Sequence, residues 1–526
     1  MNTKKQQKLR SRSKVGFSRL GLALALLVLI VGVAPVSATQ AATAAYAPQL
    51  TRYPYLTDVV LGNATVNFAT DQSQNTAFVK YGEVGVESCT AHTVVASHLG
   101  FQVYPSPYDP VNNPPKQEFQ WKAMLVVKPD TQYCYRVYLG SAPEIDLLGG
   151  DQSPTFWTQI PAGSNQPFSF AVLADWGYVQ PDGTNTHQAA LLKLLSSQNP
   201  RFVVTAGDNR YATTGYLSVP LQTQYGDLYQ SGPSTSAVFG PNFWKQVGST
   251  IPIFPAIGNH GYSGATINHP HIMNWPQDTA VQSSAGRYAT DLYQGFNGTT
   301  PTNYPSVWYA FDAGVARFYI LEATWADTNI GTADLYKNDY DYHWAPGSQE
   351  YEWLKADLQA HPGGVKFALF HFPMYSDSNA TDTSDTYLQG PSSLEGLLSA
   401  NGVQMGFSGH AHFYQRSNPA NSNSLVTYVV GGGGATLSPI GPICSPNTGY
   451  GIGWSPTTNK GSKCGSATIP TDIRQVYSFL MVSVNGYDVT VTPINELGQP
   501  FDAQTYHFTP STGTPQNRLF LPLMVR

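Results

Sequence analysis

The sequence has few charged residues and few cysteines for its length. Of its 526 residues only 12% are charged, with 28 Lys and Arg against 33 Asp and Glu, and four are cysteines. Without a basic surplus, binding of nucleic acid through a basic surface is not expected. Hydrophobic residues make up 41% and aromatic residues 13% of the chain. That composition can fill a core, which excludes disorder of the whole chain, and the length favours two domains or three.

Positive charge is concentrated at the N-terminus. Seven Lys and Arg and no acidic residue precede Ala38, and an apolar run at residues 20–33 leads to the small-residue pattern Val36-Ser37-Ala38. This order is typical of a secretory signal peptide, so we expect residues 1–38 to be removed and the protein to be secreted, periplasmic or on the cell surface. An uncleaved anchor is the alternative, but the run is short for a membrane span. Taking the seven from the 28 basic residues leaves 21 against 33 acidic, a net charge of −12.

The four cysteines fall into two distant pairs. Cys89 with Cys134 and Cys444 with Cys464 are the natural disulfides of an exported chain, with free buried thiols as the alternative. No Cys-x-x-Cys spacing indicates structural zinc.

Residues 45–161 have the pattern of a β-domain. Residues 65–69, 77–81 and 133–138 alternate with period two, and 124–127 is a short apolar run, with Pro, Gly and Asn between them. The stretch 129–135 resembles a late strand of fibronectin type III-like modules. We therefore predict a fibronectin type III-like β-sandwich in this region.

The pattern changes after Pro161. The sequence predicts strands at 168–174, 202–206, 365–370 and 403–407 and helices at 188–195 and 349–358. Polar residues follow four of these strands, and open α/β sheets place their sites at such carboxyl ends. Residues 211–243 and 262–303 lack a clear period and are interpreted as surface insertions. Residues 509–526 are expected to be a linker and an apolar tail, either an edge strand or a sorting tag.

Five short segments combine carboxylate, amide and imidazole side chains at strand ends or loops. In chain order they are Asp175-Trp-Gly177, Gly207-Asp208-Asn-Arg-Tyr211, Gly258-Asn259-His260, His371 and Gly409-His410-Ala-His412. Each segment alone is weak evidence for a functional site, because a Gly-Asp pair is usually a turn and a lone histidine is usually structural. As an ordered set they resemble the motifs of the calcineurin-like metallophosphoesterases.

Two positions make this resemblance specific to one branch of the superfamily. Gly177 stands where the superfamily commonly has a histidine, and Tyr211 stands where purple acid phosphatases have a metal-binding phenolate. The resemblance to purple acid phosphatases covers most of residues 50–508. It implies an α+β/α/β chain, with a fibronectin type III-like β-sandwich followed at 166–508 by a metallophosphoesterase α/β sandwich of two mixed sheets flanked by helices.

The resemblance also implies a binuclear metal centre. One ion would take Asp175, Tyr211 and His412, the other would take Asn259, His371 and His410, and Asp208 would bridge both. Carboxylate and phenolate suit Fe(III), whereas amide oxygen and imidazoles suit divalent Zn, Mn or Fe. A metal-bound hydroxide is the implied nucleophile.

His260 is the candidate acid or phosphate-binding residue, and a role in orienting a neighbouring ligand is the alternative. Plant relatives carry further histidines soon after the position of His371. This chain has Asp377, Asp382 and Asp385 there, so we expect an acidic rim. The proton could instead come from an insertion residue, with His269 or His271 as candidates, or from none.

The leading hypothesis is an exported phosphatase acting on small phosphate monoesters, without a nucleic-acid-binding surface or a later membrane span. A phosphodiesterase or nucleotidase with the same metal site is the alternative. A surface binding protein with a vestigial site is the third hypothesis.

Overall fold

The computed structural model describes residues 50–60, 62–72, 76–103, 116–178, 185–209, 243–258, 291–295, 299–304, 308–321, 349–378, 388–419 and 425–509. The predicted signal peptide, most of the first insertion and residues 510–526 of the C-terminal tail lie outside these residues. The chain divides into two units, residues 1–47 and residues 48–526. The first unit lies outside the described residues, so everything below refers to the second.

The first part of the described chain is an eight-stranded antiparallel arrangement. Its strands follow the order β1-β2-β5-β4-β3-β6-β7, with β8 also paired to β6. The first half of β4 pairs with β3 and the second half pairs with β5, so β4 joins the two groups of strands. The bounds are β1 (Leu50–Val60), β2 (Asn63–Thr70), β3 (Ala77–Glu83), β4 (His92–Val103), β5 (Lys116–Val126), β6 (Gln132–Leu139), β7 (Ile145–Asp146) and β8 (Thr155–Trp157).

The β-rich character predicted for this region is confirmed. Three predicted strands lie within β2, β3 and β6, while the apolar run at 124–127 is mainly the end of the longer β5. The missed part of β5 has charged and amide residues that hide its period, such as Lys116, Gln117 and Glu118. The fibronectin type III-like type and the boundary near residue 161 stay predictions.

The second sheet is mixed and has six strands in the order β11-β10-β9-β22-β23-β24. Its parallel strands are β9 to β11, and the rest are antiparallel. The bounds are β9 (Phe168–Leu173), β10 (Val203–Thr205), β11 (Ile253–Pro255), β22 (Ser478–Asn485), β23 (Asp488–Asn495) and β24 (Gln504–His507).

Helix α1 (Thr186–Ser197) connects β9 to β10 and confirms the predicted strand–helix–strand unit. It begins after Asn185, whose side chain accepts a hydrogen bond from the Gln188 amide at 3.0 Å and so satisfies one free helical N–H. A π-helical turn (Trp244–Gly248) precedes β11, and a 3-10 turn (Ile473–Gln475) precedes β22.

The third sheet is also mixed, in the order β14-β15-β16-β17-β19-β18-β20-β21. Strands β15, β16, β17 and β19 are parallel neighbours, and α2 (Gln349–Ala360) and α3 (Leu394–Ala400) precede β16 and β17. The bounds are β14 (Tyr309–Ala313), β15 (Ala316–Ile320), β16 (Val365–Leu369), β17 (Met405–Ser408), β18 (Tyr414–Ser417), β19 (Val426–Val430), β20 (Thr448–Ser455) and β21 (Lys460–Gly465).

One separate hairpin lies where no element is predicted. Strands β12 (Asp291–Gly295) and β13 (Thr299–Tyr304) pair antiparallel within or beside the stretch interpreted as the second insertion. The stretch is therefore not wholly without regular structure.

Phenylalanines fill the space between the two mixed sheets. Phe170 of the second sheet meets Phe318 of the third edge-on, with 4.9 Å between ring centroids, and Phe254 stacks on Phe311 at 3.8 Å. All four rings are fully buried, and such pairs contribute about 0.5–1.5 kcal/mol beyond their area. Two mixed sheets packed face to face are what the resemblance implies.

Both predicted disulfides are confirmed. Cys89 is bonded to Cys134, and Cys444 is bonded to Cys464. No helix in the part of the chain described above combines the length and the apolarity that membrane crossing requires.

A buried ion pair lies at the edge of the third sheet where β16 begins. The Arg317 guanidinium donates two hydrogen bonds of 2.8 Å to the Asp357 carboxylate of α2 and one of 2.8 Å to Asp312. The Arg317 and Asp357 side chains are 5% and 6% exposed, so removing one partner leaves a poorly compensated charge in the core.

We predict that Asp357→Ala lowers the free energy of unfolding by about 3–5 kcal/mol, the usual cost of breaking a buried pair. The matched control is Glu352→Ala in the same helix, where the carboxylate is 46% exposed. This control should change stability by less than about 0.5 kcal/mol. Urea unfolding of both variants measures the difference, and equal midpoints would show that the buried pair does not stabilise the fold.

Candidate metal centre

Four of the predicted ligands follow parallel strands of the two facing sheets. Asp175 and Asp208 come just after β9 and β10, and His371 and His410 come just after β16 and β17. Carboxyl ends of parallel strands share an edge, so the four residues converge there. His412 lies on the same loop as His410, two residues before the start of β18.

Three of these residues form a buried cluster. Asp175, Asp208 and His371 are fully buried, and one ligand atom from each lies within 4.8 Å of the others. His371 Nε2 is 3.3 Å from Asp208 Oδ1, and His412 Nε2 is 3.3 Å from Asp175 Oδ1. The ring of His410 lies 5.2 Å from that of His371, centroid to centroid.

The structure thus brings together five of the seven predicted metal ligands. The other two, Tyr211 and Asn259, lie outside the described residues, as do His260, His269 and His271.

The backbone turns sharply at three of these residues. Asp175, Asp208 and His410 have φ angles of 54°, 46° and 66°, in the left-handed region that residues other than glycine seldom adopt. Such conformations cost on the order of 1–3 kcal/mol and persist where surrounding contacts enforce them. The contacts here include Asp175 N to Gly207 O at 3.2 Å and His410 N to Asp175 Oδ2 at 2.8 Å.

Two glycines in the motifs allow the loops to approach each other. A Cβ on Gly258 would lie 2.1 Å from Asp208 Oδ1, and a Cβ on Gly409 would lie 2.4 Å from Asp175 Oδ2. No side chain fits at such distances. The glycine that precedes Asn259 and the one that precedes His410 are therefore needed for the packing of the loops against the carboxylates.

Backbone carbonyls set the orientation of two histidines. His371 Nδ1 lies 2.9 Å from Ala206 O, and His412 Nδ1 lies 2.8 Å from Thr436 O. A carbonyl oxygen only accepts, so each Nδ1 carries the hydrogen. In the neutral ring, Nε2 then presents its lone pair to a carboxylate oxygen. The nitrogen lone pair and the carboxylate oxygen repel each other unless a proton or a metal cation lies between them. The sequence gives no sign of these two acceptors, because they are main-chain groups.

The pKa of His371 reflects this environment. Burial by itself lowers it, but the charge and hydrogen bond of Asp208, with the charge of Asp175, raise it to about 9. The pKa of His412 is also raised: burial lowers it, but its hydrogen bond to Asp175 and the charge of that carboxylate outweigh the effect.

The donor set fits metal ions. Carboxylates and imidazoles are the ligands that iron, zinc and manganese take in proteins, and a hydrogen bond from Nδ1–H to a carbonyl oxygen is typical of a metal-bound histidine. The Asp175 carboxylate is oriented similarly, since Oδ2 accepts the His410 N–H and Oδ1 faces His412.

A second group of possible ligands does not fit a metal. A carboxylate oxygen of Asp377 lies within 4.8 Å of the sulfurs of Cys444 and Cys464, but these sulfurs are bonded to each other. Asp377 is only 7% exposed. The expectation that it belongs to an exposed acidic rim is therefore wrong, because its carboxylate is engaged in internal hydrogen bonds. Asp382 and Asp385 lie outside the described residues.

Comparison with known proteins agrees with this geometry. Residues 168–414 match the calcineurin-like phosphoesterase family. The chain is 25% identical over 382 residues to an acid phosphatase of Aspergillus ficuum, covering 57% of this chain and 60% of that protein. It is 24% identical over 321 residues to purple acid phosphatase 15 of Arabidopsis thaliana, covering 59% and 52%. The chain thus spans less than two thirds of the length of either relative.

The fold is similar to that of a solved purple acid phosphatase from yellow lupin (Lupinus luteus) seeds. The TM-score is 0.57 at 17% identity, over 87% of this chain and 74% of that one. Two relatives in Arabidopsis thaliana are named probable inactive purple acid phosphatases. Residues 168–414 therefore match the calcineurin-like phosphoesterase family, and the chain is similar to purple acid phosphatases in sequence and in fold.

Proposed function

We propose that this chain is an exported, binuclear metal-dependent phosphatase that hydrolyses phosphate monoesters. The observation that carries the proposal is the buried cluster of Asp175, Asp208 and His371, with His412 in contact with Asp175 and His410 beside His371. The two disulfides are in keeping with export.

The contacts within the cluster support two neighbouring ion sites. Asp175 pairs with His412, and Asp208 pairs with His371, whose ring lies beside that of His410. We assign Asp175 and His412, with Tyr211, to a trivalent iron. His371 and His410, with Asn259, are assigned to a divalent Zn, Mn or Fe. Asp208 would bridge the ions. None of the five described ligands has been replaced, which argues against a vestigial site.

Two cations held in this way would neutralise a phosphate group and lower the pKa of a coordinated water. The protein's part is to hold the ligands in place before substrate arrives. Carbonyl acceptors fix the His371 and His412 rings, and the His410 N–H fixes the Asp175 carboxylate. His260, next to Asn259 in the sequence, is our candidate for contacting the phosphate or protonating the leaving oxygen.

We predict that Asp208→Ala and His371→Ala each lower the turnover of a chromogenic phosphate monoester by more than about 100-fold, since loss of a ligand should exceed the 10–100-fold cost of losing an outer partner. His361→Ala is the matched control, because this partly exposed histidine at the end of α2 contacts Asp357 and lies outside the cluster. Steady-state kinetics with supplied metal measures the effect. Wild-type turnover in either ligand variant would sink the proposed mechanism.

A second prediction concerns the close approach at Gly409. A Cβ there would meet Asp175 Oδ2, so Gly409→Ala should displace that carboxylate and lower turnover at least about 10-fold, as for loss of a partner that orients a ligand. Gly363→Ala is the control, because a Cβ at that glycine meets no atom within 4 Å. Equal activities of the two alanine variants would show that the close approach does not position Asp175.

A further inference from the structure

Asp377 is a buried carboxylate for which the proposed reaction has no use. It follows His371 by six residues in the segment 372–378, beyond the end of β16. Oδ1 accepts a hydrogen bond from the Ser445 amide at 2.9 Å, and Oδ2 accepts one from the Thr448 hydroxyl at 2.5 Å. At 7% exposure, a carboxylate needs such partners to offset its lost hydration.

The main chain of Asp377 is bound as well. Its N–H donates to Gln415 Oε1 at 2.9 Å, and its carbonyl accepts the Gly441 N–H at 2.7 Å. Gln415 lies on β18, three residues after His412, and its Nε2 donates to Thr448 Oγ1 at 3.3 Å. Asp377 therefore joins three elements: the segment after His371, the strand after His412, and residues 441–448.

Two of the segments that Asp377 joins each contact one histidine of the Gly-His-x-His motif. In the segment 372–378, Phe372 packs against His410 with 4.1 Å between ring centroids. In the segment 436–448, Thr436 O accepts from His412 Nδ1 at 2.8 Å, and the Ser438 N–H donates to His412 O at 2.9 Å. The two segments thus contact both histidines of the motif.

The disulfide Cys444–Cys464 secures the same segment. It ties the residue next to Ser445 to β21, and β21 pairs with β20, which begins at Thr448. Both groups that donate to the Asp377 carboxylate are therefore restrained by the disulfide or by the sheet.

We infer that Asp377 is a positioning residue for the metal centre: it joins the segments that hold His410 and His412, and the Cys444–Cys464 disulfide keeps its partners in place. This inference rests on the proposed function, because it assigns to the two histidines the metal-binding role given above. Asp377 is not among the residues assigned above as ligands of either ion.

The test is zinc binding to the metal-free full-length protein by titration calorimetry. Asp377→Ala should weaken zinc binding about 10-fold, the low end for a residue that acts through a ligand. Asp377→Asn should bind nearly as the wild type does, because its oxygen still accepts the Ser445 N–H and its amide donates to the Thr448 hydroxyl. Thr448→Val, which lacks the hydroxyl, should weaken binding in the same direction and provides the test if Asp377→Ala does not fold.

Two matched controls separate positioning from stability. Asp357→Ala removes a buried carboxylate at the other edge of the third sheet, and it should lower the melting temperature without changing zinc affinity. Cys444→Ser with Cys464→Ser should weaken zinc binding, whereas Cys89→Ser with Cys134→Ser, in the first sheet, should not.

Unchanged zinc affinity in Asp377→Ala and Thr448→Val beside a wild type that binds zinc would overturn this inference alone. Equal weakening in Asp377→Ala and Asp357→Ala would overturn it too, because the effect would then reflect general destabilisation. If the wild type binds manganese or iron(II) in place of zinc, the same variants are titrated with that ion. A wild-type protein that binds none of the three would overturn the proposed function and this inference together.

Discussion

Two buried carboxylates with oxygens less than 5 Å apart are stable together when positive charge or a proton lies between them. Asp175 and Asp208 are such a pair, and the surrounding groups follow from it. Against the lowering effect of burial, the charge of Asp208 raises the pKa of His371, which favours a proton on that ring. The orientation of both histidines, with Nδ1 engaged by a carbonyl and Nε2 facing a carboxylate, suits a metal cation in the same place.

The scaffold brings these groups together at a cost in backbone strain and side-chain space. Two mixed sheets pack through phenylalanines and present their parallel strand ends at a common edge. Left-handed turns at Asp175, Asp208 and His410 direct the ligands, and glycines allow the loops to touch the carboxylates. Beyond them, Asp377 and a disulfide connect the loop segments that contact His410 and His412.

Much of this could be predicted from the sequence, because strand ends carry a local signal. Apolar runs that end at Asp175, Asp208, His371 and His410 gave both the strands and the site. Less could be predicted where contacts are distant or lack a side-chain signal. The Ala206 and Thr436 carbonyls are main-chain groups, and the burial of Asp377 depends on donors about 70 residues away. Its charge alone indicated an exposed rim, which was wrong.

The most direct measurement is metal analysis of the purified protein together with its visible spectrum, for the wild type and for Tyr211→Phe. Two metal ions per chain are predicted, one of them iron, with a phenolate-to-iron absorption band that is lost in Tyr211→Phe. Two ions without that band would keep the binuclear site but contradict the assignment of Tyr211 and Fe(III). A chain that holds fewer than two ions after incubation with iron and zinc would contradict the binuclear centre itself.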